Sequence, residues 1–205
     1  MDSAFLITAF FTFFVVMDPP GLAPMFVALT QGMDKHKRRR VALHACVVAG
    51  GVLLAFAGLG EQLLDFIGIS MPAFRIAGGI MLFLIALDML FERRSKRREN
   101  RAEEDDHDDP AVFPLAIPLI AGPGTIATVI LLTGQQPGWG GFFAVLGVMF
   151  GVLVLNYVCF LAAGLIDRML GRTGVIVLTR ILGMLLAALS VQFVLDGLKS
   201  FGFAG

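Results

Sequence analysis

Residues 18–24 read Asp-Pro-Pro-Gly-Leu-Ala-Pro, and residues 121–125 read Ala-Gly-Pro-Gly-Thr. Each stretch stands near the middle of a long apolar run. Proline removes a backbone N–H and clashes with the preceding turn, so neither stretch is compatible with a regular helix. In the core of a bilayer, irregular backbone survives only where it is buried in protein or lines a wet cavity. We therefore predict two membrane helices that are broken near their middle.

The composition around these breaks is that of an integral membrane protein. Hydrophobic residues make up 57% of the 205 residues and charged residues only 16%. A soluble domain carries about 25% charged residues, whereas residues 110–166 contain no Asp, Glu, Lys or Arg at all. The formal net charge is zero, which argues against a basic nucleic-acid-binding protein.

Six segments are long and apolar enough to cross a bilayer as helices. They cover residues 3–31, 39–60, 72–91, 112–133, 139–166 and 174–198. We interpret the first as a membrane helix and not a cleaved signal, because no positively charged segment precedes it. The chain is then a single transmembrane domain, with a first repeat over about residues 1–92, a charged loop over 92–110 and a second repeat over 111–205.

Basic residues are concentrated in alternate loops. The loops between spans one and two, three and four, and five and six contain 13 of the 16 Lys and Arg residues. Cytoplasmic loops of membrane proteins carry the excess of basic residues. We therefore predict that these three loops face the cytoplasm and that both termini face outward.

The two halves of the chain resemble each other weakly. Pro20-Gly21 recurs as Pro123-Gly124, and Arg75-Ile-Ala-Gly recurs as Arg180-Ile-Leu-Gly. Each half has three spans, with the break in its first. Because three is an odd number, the second half enters from the opposite face, and the repeats are inverted. The predicted fold class is an all-α polytopic membrane protein of six helices in two inverted repeats; whether each broken segment spans the membrane or forms a re-entrant hairpin stays open.

Four motifs carry a resemblance to a known family. Residues 18–26 follow an Asp-Pro-x-Gly-x-x-Pro-x-Phe pattern, and residues 73–80 read Ala-Phe-Arg-Ile-Ala-Gly-Gly-Ile. Residues 114–125 read Pro-Leu-Ala-Ile-Pro-Leu-Ile-Ala-Gly-Pro-Gly-Thr, and residues 192–197 read Gln-Phe-Val-Leu-Asp-Gly. Over essentially its whole length the chain resembles the MarC family of inner-membrane proteins, also called the neutral amino acid transporter family. The resemblance implies a plasma-membrane location and transport of small neutral amino acids, such as glycine and alanine, coupled to protons.

Paired, Gly/Pro-interrupted spans are the best sequence indication of a transporter's substrate site. Half-helix N-termini present N–H groups and a positive dipole end to a carboxylate, and a carboxylate side chain can accept an ammonium group or a coupling ion. We expect residues 21–23 and 124–128 to be the donors. The candidate site residues are Asp18, Pro20, Gly21, Gly122, Gly124, Thr125, Thr128, Arg75 and Arg180.

Each of these residues also has a structural interpretation. Two roles are equally compatible with Asp18. It can be a proton carrier or ammonium partner, or it can be the N-cap of the half-helix that follows it. Thr125 suits a cap as well as a substrate ligand. Arg75 is favoured as an interfacial anchor or ion-pair partner and Arg180 as a gate or carboxylate anchor. Asn156 lies within the fifth span, where a hydrogen bond between helices is the commoner role.

A secondary transporter is the leading interpretation, and a small-solute channel or a non-transporting structural or regulatory membrane protein is the alternative. The spans hold few polar side chains for a channel lining. No hydrolase, zinc-protease or phosphate-loop motif is present, so we expect no enzyme activity, cofactor or metal. Small residues on several helix faces are compatible with a homo-oligomer. Substrate identity, flux direction and coupling ion stay open.

Overall fold

The computed structural model describes residues 3–93, 110–136 and 138–202. The charged loop predicted over residues 92–110 lies almost entirely outside the described residues. Eight helical segments are described, and they are α1 Ser3–Met17, α2 Pro19–Leu29, α3 Lys35–Ile67, α4 Met71–Leu90, α5 Ala111–Ile120, α6 Pro123–Gln135, α7 Trp139–Leu161 and α8 Ala163–Ser200.

The all-α membrane fold predicted from the sequence is confirmed. Five units are long and apolar enough to cross a membrane, namely Ser3–Leu29, Lys35–Ile67, Met71–Leu90, Trp139–Leu161 and Thr173–Ser200. The pair α5 and α6, bent by 53° at the second break, makes a sixth if it is counted as one span. The second predicted break is therefore present as a bend, and the first is present as the non-helical residue Asp18 between α1 and α2.

Helix ends follow local rules of capping. The Asp34 carboxylate accepts hydrogen bonds from the N–H groups of His36 and Lys37, each at 2.8 Å, and so begins α3. These two hydrogen bonds, that from Lys37 with the larger effect and that from His36 with the smaller, hold the pKa of Asp34 below its ordinary value. Gly68 ends α3 at φ +83°, a left-handed conformation that glycine adopts without steric cost.

The fifth predicted span is too long at its C-terminal end. Helix α7 ends at Leu161, and α8 begins two residues later. Its first turns form a separate helical segment, because Gly171 leaves helical geometry at φ +59° and ψ 178°. Apolar composition alone cannot separate residues 163–166 from the span before them, since their hydropathy continues that of α7.

Helices α4 and α8 form the most extensive helix pair and run antiparallel. A Cβ atom on Gly79 would lie 2.8 Å from the Ser190 carbonyl oxygen, so the two backbones approach closely there. Near the opposite end of α4, Gly183 lies in the same way against Met89. Small residues allow this close approach. Lipid tails are as apolar as the helix surfaces, so helices in a bilayer associate through close packing of this kind and not through a hydrophobic driving force.

Helix partners are exchanged between the two halves of the chain. Helix α3 packs against α5 and α6, whereas α7 packs against α1 and α2. Similarly α2 packs against α8, and α6 against α4. This pairing is compatible with the predicted repeat, and the inverted repeat itself stays a prediction.

We predict that Gly79→Ala destabilises the protein by about 1–3 kcal/mol, because the added methyl group meets backbone atoms of Ser190 and Val194 in α8, which cannot move aside as a side chain can, in addition to the Val194 side chain. The matched control is Gly147→Ala in α7, where an added Cβ would meet nothing within 4 Å. Thermal unfolding in detergent measures both. Equal unfolding midpoints for the two variants would contradict the close packing of α4 on α8.

Candidate functional site

The first break is confined to one residue. Asp18 adopts a left-handed conformation, φ 53° and ψ 59°, between α1 and α2, and its side chain is fully buried. The sequence predicts irregular backbone over residues 18–24, but α2 is helical from Pro19 onward. Proline is tolerated in a first helical turn because the N–H that it lacks would have no partner there. Only Pro24 lies inside the helix.

The first turn of α2 has no N–H group to offer. Pro19 and Pro20 lack one, and the Gly21 N–H donates to Asp18 Oδ1 at 3.2 Å. The Leu22 N–H donates to the Asp18 carbonyl oxygen at 3.0 Å. All the positions that a helix leaves open at its start are therefore filled. The donors expected from residues 21–23 are thus already engaged, and this break contributes a carboxylate instead.

The second break is longer and is left uncapped. Phe113, Ile117 and Pro118 leave helical geometry within α5. The cap residue of α6 is Gly122, and no side chain caps the helix. The first backbone bond across the break runs from the Ile126 N–H to the Gly122 carbonyl oxygen at 3.0 Å.

The first turn of α6 therefore differs from that of α2. Pro123 has no N–H, while the N–H groups of Gly124 and Thr125 have no capping partner within the described residues. Both residues are buried. An open helix N-terminus of this kind attracts a negative group through its N–H donors and its dipole.

The threonine hydroxyl groups expected to contact substrate donate to backbone in this structure. Thr125 Oγ1 donates to the Ile120 carbonyl oxygen at 2.8 Å, which bridges the break. Thr128 Oγ1 donates to the Gly124 carbonyl oxygen at 2.8 Å. Each hydroxyl oxygen still has lone pairs that can accept a hydrogen bond.

The two breaks lie side by side. A Cβ atom on Gly124 would lie 3.2 Å from Val16 Cγ1, two residues before Asp18, and would also overlap Ile85 of α4. The other predicted glycines are close contacts within their own breaks. Gly122 lies against the Pro118 carbonyl oxygen, and Gly21 lies against the Asp18 carboxyl group.

The two arginines predicted for the site lie away from the breaks along the chain. Arg180 Nη2 pairs with Glu92 Oε2 at 3.3 Å, with the two side chains 48% and 25% exposed. An ion pair so exposed contributes at most about 1 kcal/mol to stability. Arg75, in the second turn of α4, is half-buried, and its Nε has no hydrogen-bond partner in the described part of the chain. A role for either arginine in binding substrate stays a prediction.

Two further polar side chains are buried without a partner. Asn156 of α7 is 0% exposed, and neither Oδ1 nor Nδ2 has a hydrogen-bond partner among the described residues. Thr179 Oγ1 of α8 is likewise buried and has no hydrogen-bond partner among the described residues. An unsatisfied buried polar group costs about 1–3 kcal/mol. The bond between helices expected for Asn156 is absent, and Thr179 is a residue that sequence reasoning missed, since a lone threonine in a span gives no signal.

One end of the bundle is closed by stacked side chains. The rings of Phe26 and Phe160 lie 4.5 Å apart and nearly parallel, at 12°. The Arg38 guanidinium carbon lies 5.2 Å from the centroid of the Phe26 ring. We call these three residues the Arg38–Phe26–Phe160 stack. Because both rings are fully buried, the stack seals α2 against α7.

Comparisons with known proteins agree with the motifs and the fold. The family described as "MarC family integral membrane protein" matches residues 3–201. A UPF0056 membrane protein of Methanocaldococcus jannaschii is 38% identical over 202 residues, which cover 97% of this chain and 98% of that protein. The UPF0056 membrane protein YvbG of Bacillus subtilis is 34% identical over 203 residues, 97% of this chain and 96% of its own length. No solved structure matches the chain.

We predict that Asp18→Ala destabilises the protein by about 2 kcal/mol, since alanine loses the cap to Gly21 and is strained in the left-handed conformation. Asp18→Asn keeps an oxygen acceptor and tolerates that conformation, so we expect a loss below about 1 kcal/mol. Denaturant titration of the purified variants measures both. If Asp18→Asn destabilises the protein as much as Asp18→Ala does, then the negative charge of Asp18, and not its cap to Gly21, stabilises the break.

Proposed function

The chain belongs to the MarC family of integral membrane proteins, and from this premise we propose that it is a secondary transporter of small neutral amino acids. The proposed substrates are glycine, alanine and molecules of similar size. The proposed site lies at the paired breaks, and the proposed coupling ion is the proton. We further propose a plasma-membrane location with the basic loops in the cytoplasm, from the charge asymmetry of the sequence.

One observation carries the proposal: the two adjacent breaks differ in chemistry. The first contributes the buried Asp18 carboxylate and no open N–H group, while the second contributes the uncapped N–H groups of Gly124 and Thr125. A zwitterionic α-amino acid carries one ammonium and one carboxylate group, both attached to its α-carbon. The first break suits the ammonium group, and the second suits the carboxylate.

The packing around the second break supports a small substrate. Val16, Leu82 and Ile85 would all lie within 3.6 Å of a Cβ atom on Gly124. A ligand that reaches the α6 N–H groups therefore has little room for a side chain of its own. Glycine and alanine are the amino acids with the smallest side chains.

The buried Asp18 side chain supports proton coupling. Binding and release of one proton changes the charge of a carboxyl group by one unit, and charged groups inside a membrane are costly. A carboxyl group beside the substrate site couples the two events when substrate binding favours one protonation state over the other.

The same packing also favours a second function, that of a non-transporting structural membrane protein. In such a protein the breaks would be permanently closed by Val16, Leu82 and Ile85, and no solute would reach α6. The distinction between the two functions is a binding measurement, since only the transporter has affinity for a solute at this position.

We predict that glycine, alanine or serine selectively raises the unfolding temperature of the purified protein in a screen of the twenty amino acids. A ligand at 100 times its Kd stabilises the folded state by about 2.7 kcal/mol. Gly124→Val is expected to abolish the shift, because its side chain fills the space at the first turn of α6. Gly58→Val is the control, since a Cβ there meets nothing within 4 Å. No shift from folded wild-type protein at high millimolar concentration would instead favour the structural function.

We predict that Asp18→Asn abolishes uptake driven by a pH gradient in proteoliposomes but leaves amino acid exchange at equal pH largely intact. The amide keeps the cap of α2, but it cannot exchange a proton with water as a carboxyl group does. Uptake that remains proton-driven in this variant would assign the coupling to another group.

A further inference from the structure

Asn156 is an exception among the buried polar side chains of this bundle. The buried threonine hydroxyls of residues 12, 30, 125 and 128 each donate to a backbone carbonyl oxygen four or five residues earlier in the chain. Ser190 Oγ donates to the Ala187 carbonyl oxygen, and the amide of Gln192 in α8 donates to Asp196 Oδ1 at 2.8 Å. Of the described side chains in the spans, Asn156 alone has two buried polar atoms, the acceptor Oδ1 and the donor Nδ2, without a hydrogen-bond partner.

Contacts near the end of α7 show where Asn156 lies. Phe160 stacks on Phe26, near the C-terminal end of α2. Helix α7 also packs against α1, so it runs alongside the whole first span with both C-terminal ends at the stack. Asn156 precedes Phe160 by one turn on the buried face, about 6 Å along the axis. It is therefore level with Leu22, between the Asp18 break and the Arg38–Phe26–Phe160 stack.

Thr179 lies at a similar depth on α8. It follows Thr173, where the spanning part of α8 begins, by about 9 Å, and Asn156 precedes Leu161, the end of α7, by about 8 Å. Helix α2 packs against both α7 and α8. Two unpartnered, buried polar groups thus lie on the two helices that pack against α2, on the side of the break where the stack lies.

We propose that Asn156, together with Thr179, binds the transported amino acid at a second position along its path, between the paired breaks and the Arg38–Phe26–Phe160 stack. This inference rests on the transport function proposed above. The Asn156 Nδ2 group donates to the substrate carboxylate, and Oδ1 accepts from the ammonium group. Thr179 Oγ1 donates a further hydrogen bond to the carboxylate. An uncharged amide favours neither sign of charge, which suits a zwitterion better than an anion or a cation.

The test is Asn156→Leu, because leucine has similar volume and no polar atom. Replacing an unsatisfied buried amide with an apolar group stabilises a protein that has no other use for it. We expect an unfolding temperature equal to or above that of the wild type, together with an affinity for glycine or alanine reduced by about ten- to a hundredfold, as for a lost hydrogen bond to a charged group. Ligand-induced thermal shift and proteoliposome uptake measure the affinity and KM.

Gln192→Leu is the matched control, since it removes an amide that already has a partner, and we expect its substrate affinity to be unchanged. Thr179→Val, which keeps the shape and removes the hydroxyl, is the second variant and is expected to raise KM with no loss of stability. Wild-type affinity in both Asn156→Leu and Thr179→Val would overturn this inference and leave the transport function standing. A wild-type protein that binds none of the twenty amino acids would overturn both.

Discussion

The interior of a bilayer offers no water to a free backbone N–H or carbonyl group, and the whole fold depends on how the two broken spans meet that constraint. At the first break it is met almost completely. Two prolines remove the N–H groups that the start of α2 would leave open, and the Asp18 side chain accepts from the third. At the second break, glycine occupies the cap position and contributes no side chain. The N–H groups at the start of the half-helix are therefore satisfied in one half of the chain and left uncapped in the other.

Close helix packing holds these breaks together. Glycines of α4 and α8 let the two backbones touch, and each half-helix is packed on this pair, α6 against α4 and α2 against α8. Leu82 and Ile85 of α4 thereby cover the first turn of α6. The position of Gly124 beside Val16 is thus a consequence of small residues placed far from either break in the sequence.

The sequence was sufficient for the coarse structure. Hydropathy located the spans to within several residues, and proline located both breaks, because both signals depend on local chemistry. The extent of each break was less predictable. Prolines 19 and 20 look like helix breakers, yet they occupy the one place where a helix accepts them. Whether Asn156 has a hydrogen-bond partner could not be predicted. It depends on which groups of the neighbouring helices face the side chain, and not on the sequence of α7 itself.

The unpartnered groups are the strongest physical argument against a purely structural protein. Each buried polar group without a partner costs about 1–3 kcal/mol, a sizeable share of the 5–15 kcal/mol by which proteins are typically stable. A leucine at Asn156 and a valine at Thr179 would remove that cost with little change in volume. The N–H groups of α6 have no such simple remedy, because the Cβ atom of an Asp or Ser cap in place of Gly122 would collide with the Pro118 carbonyl oxygen. A bundle selected for packing alone gains from the changes at Asn156 and Thr179, whereas a bundle that must bind and release a small polar solute needs unused donors and acceptors in its interior.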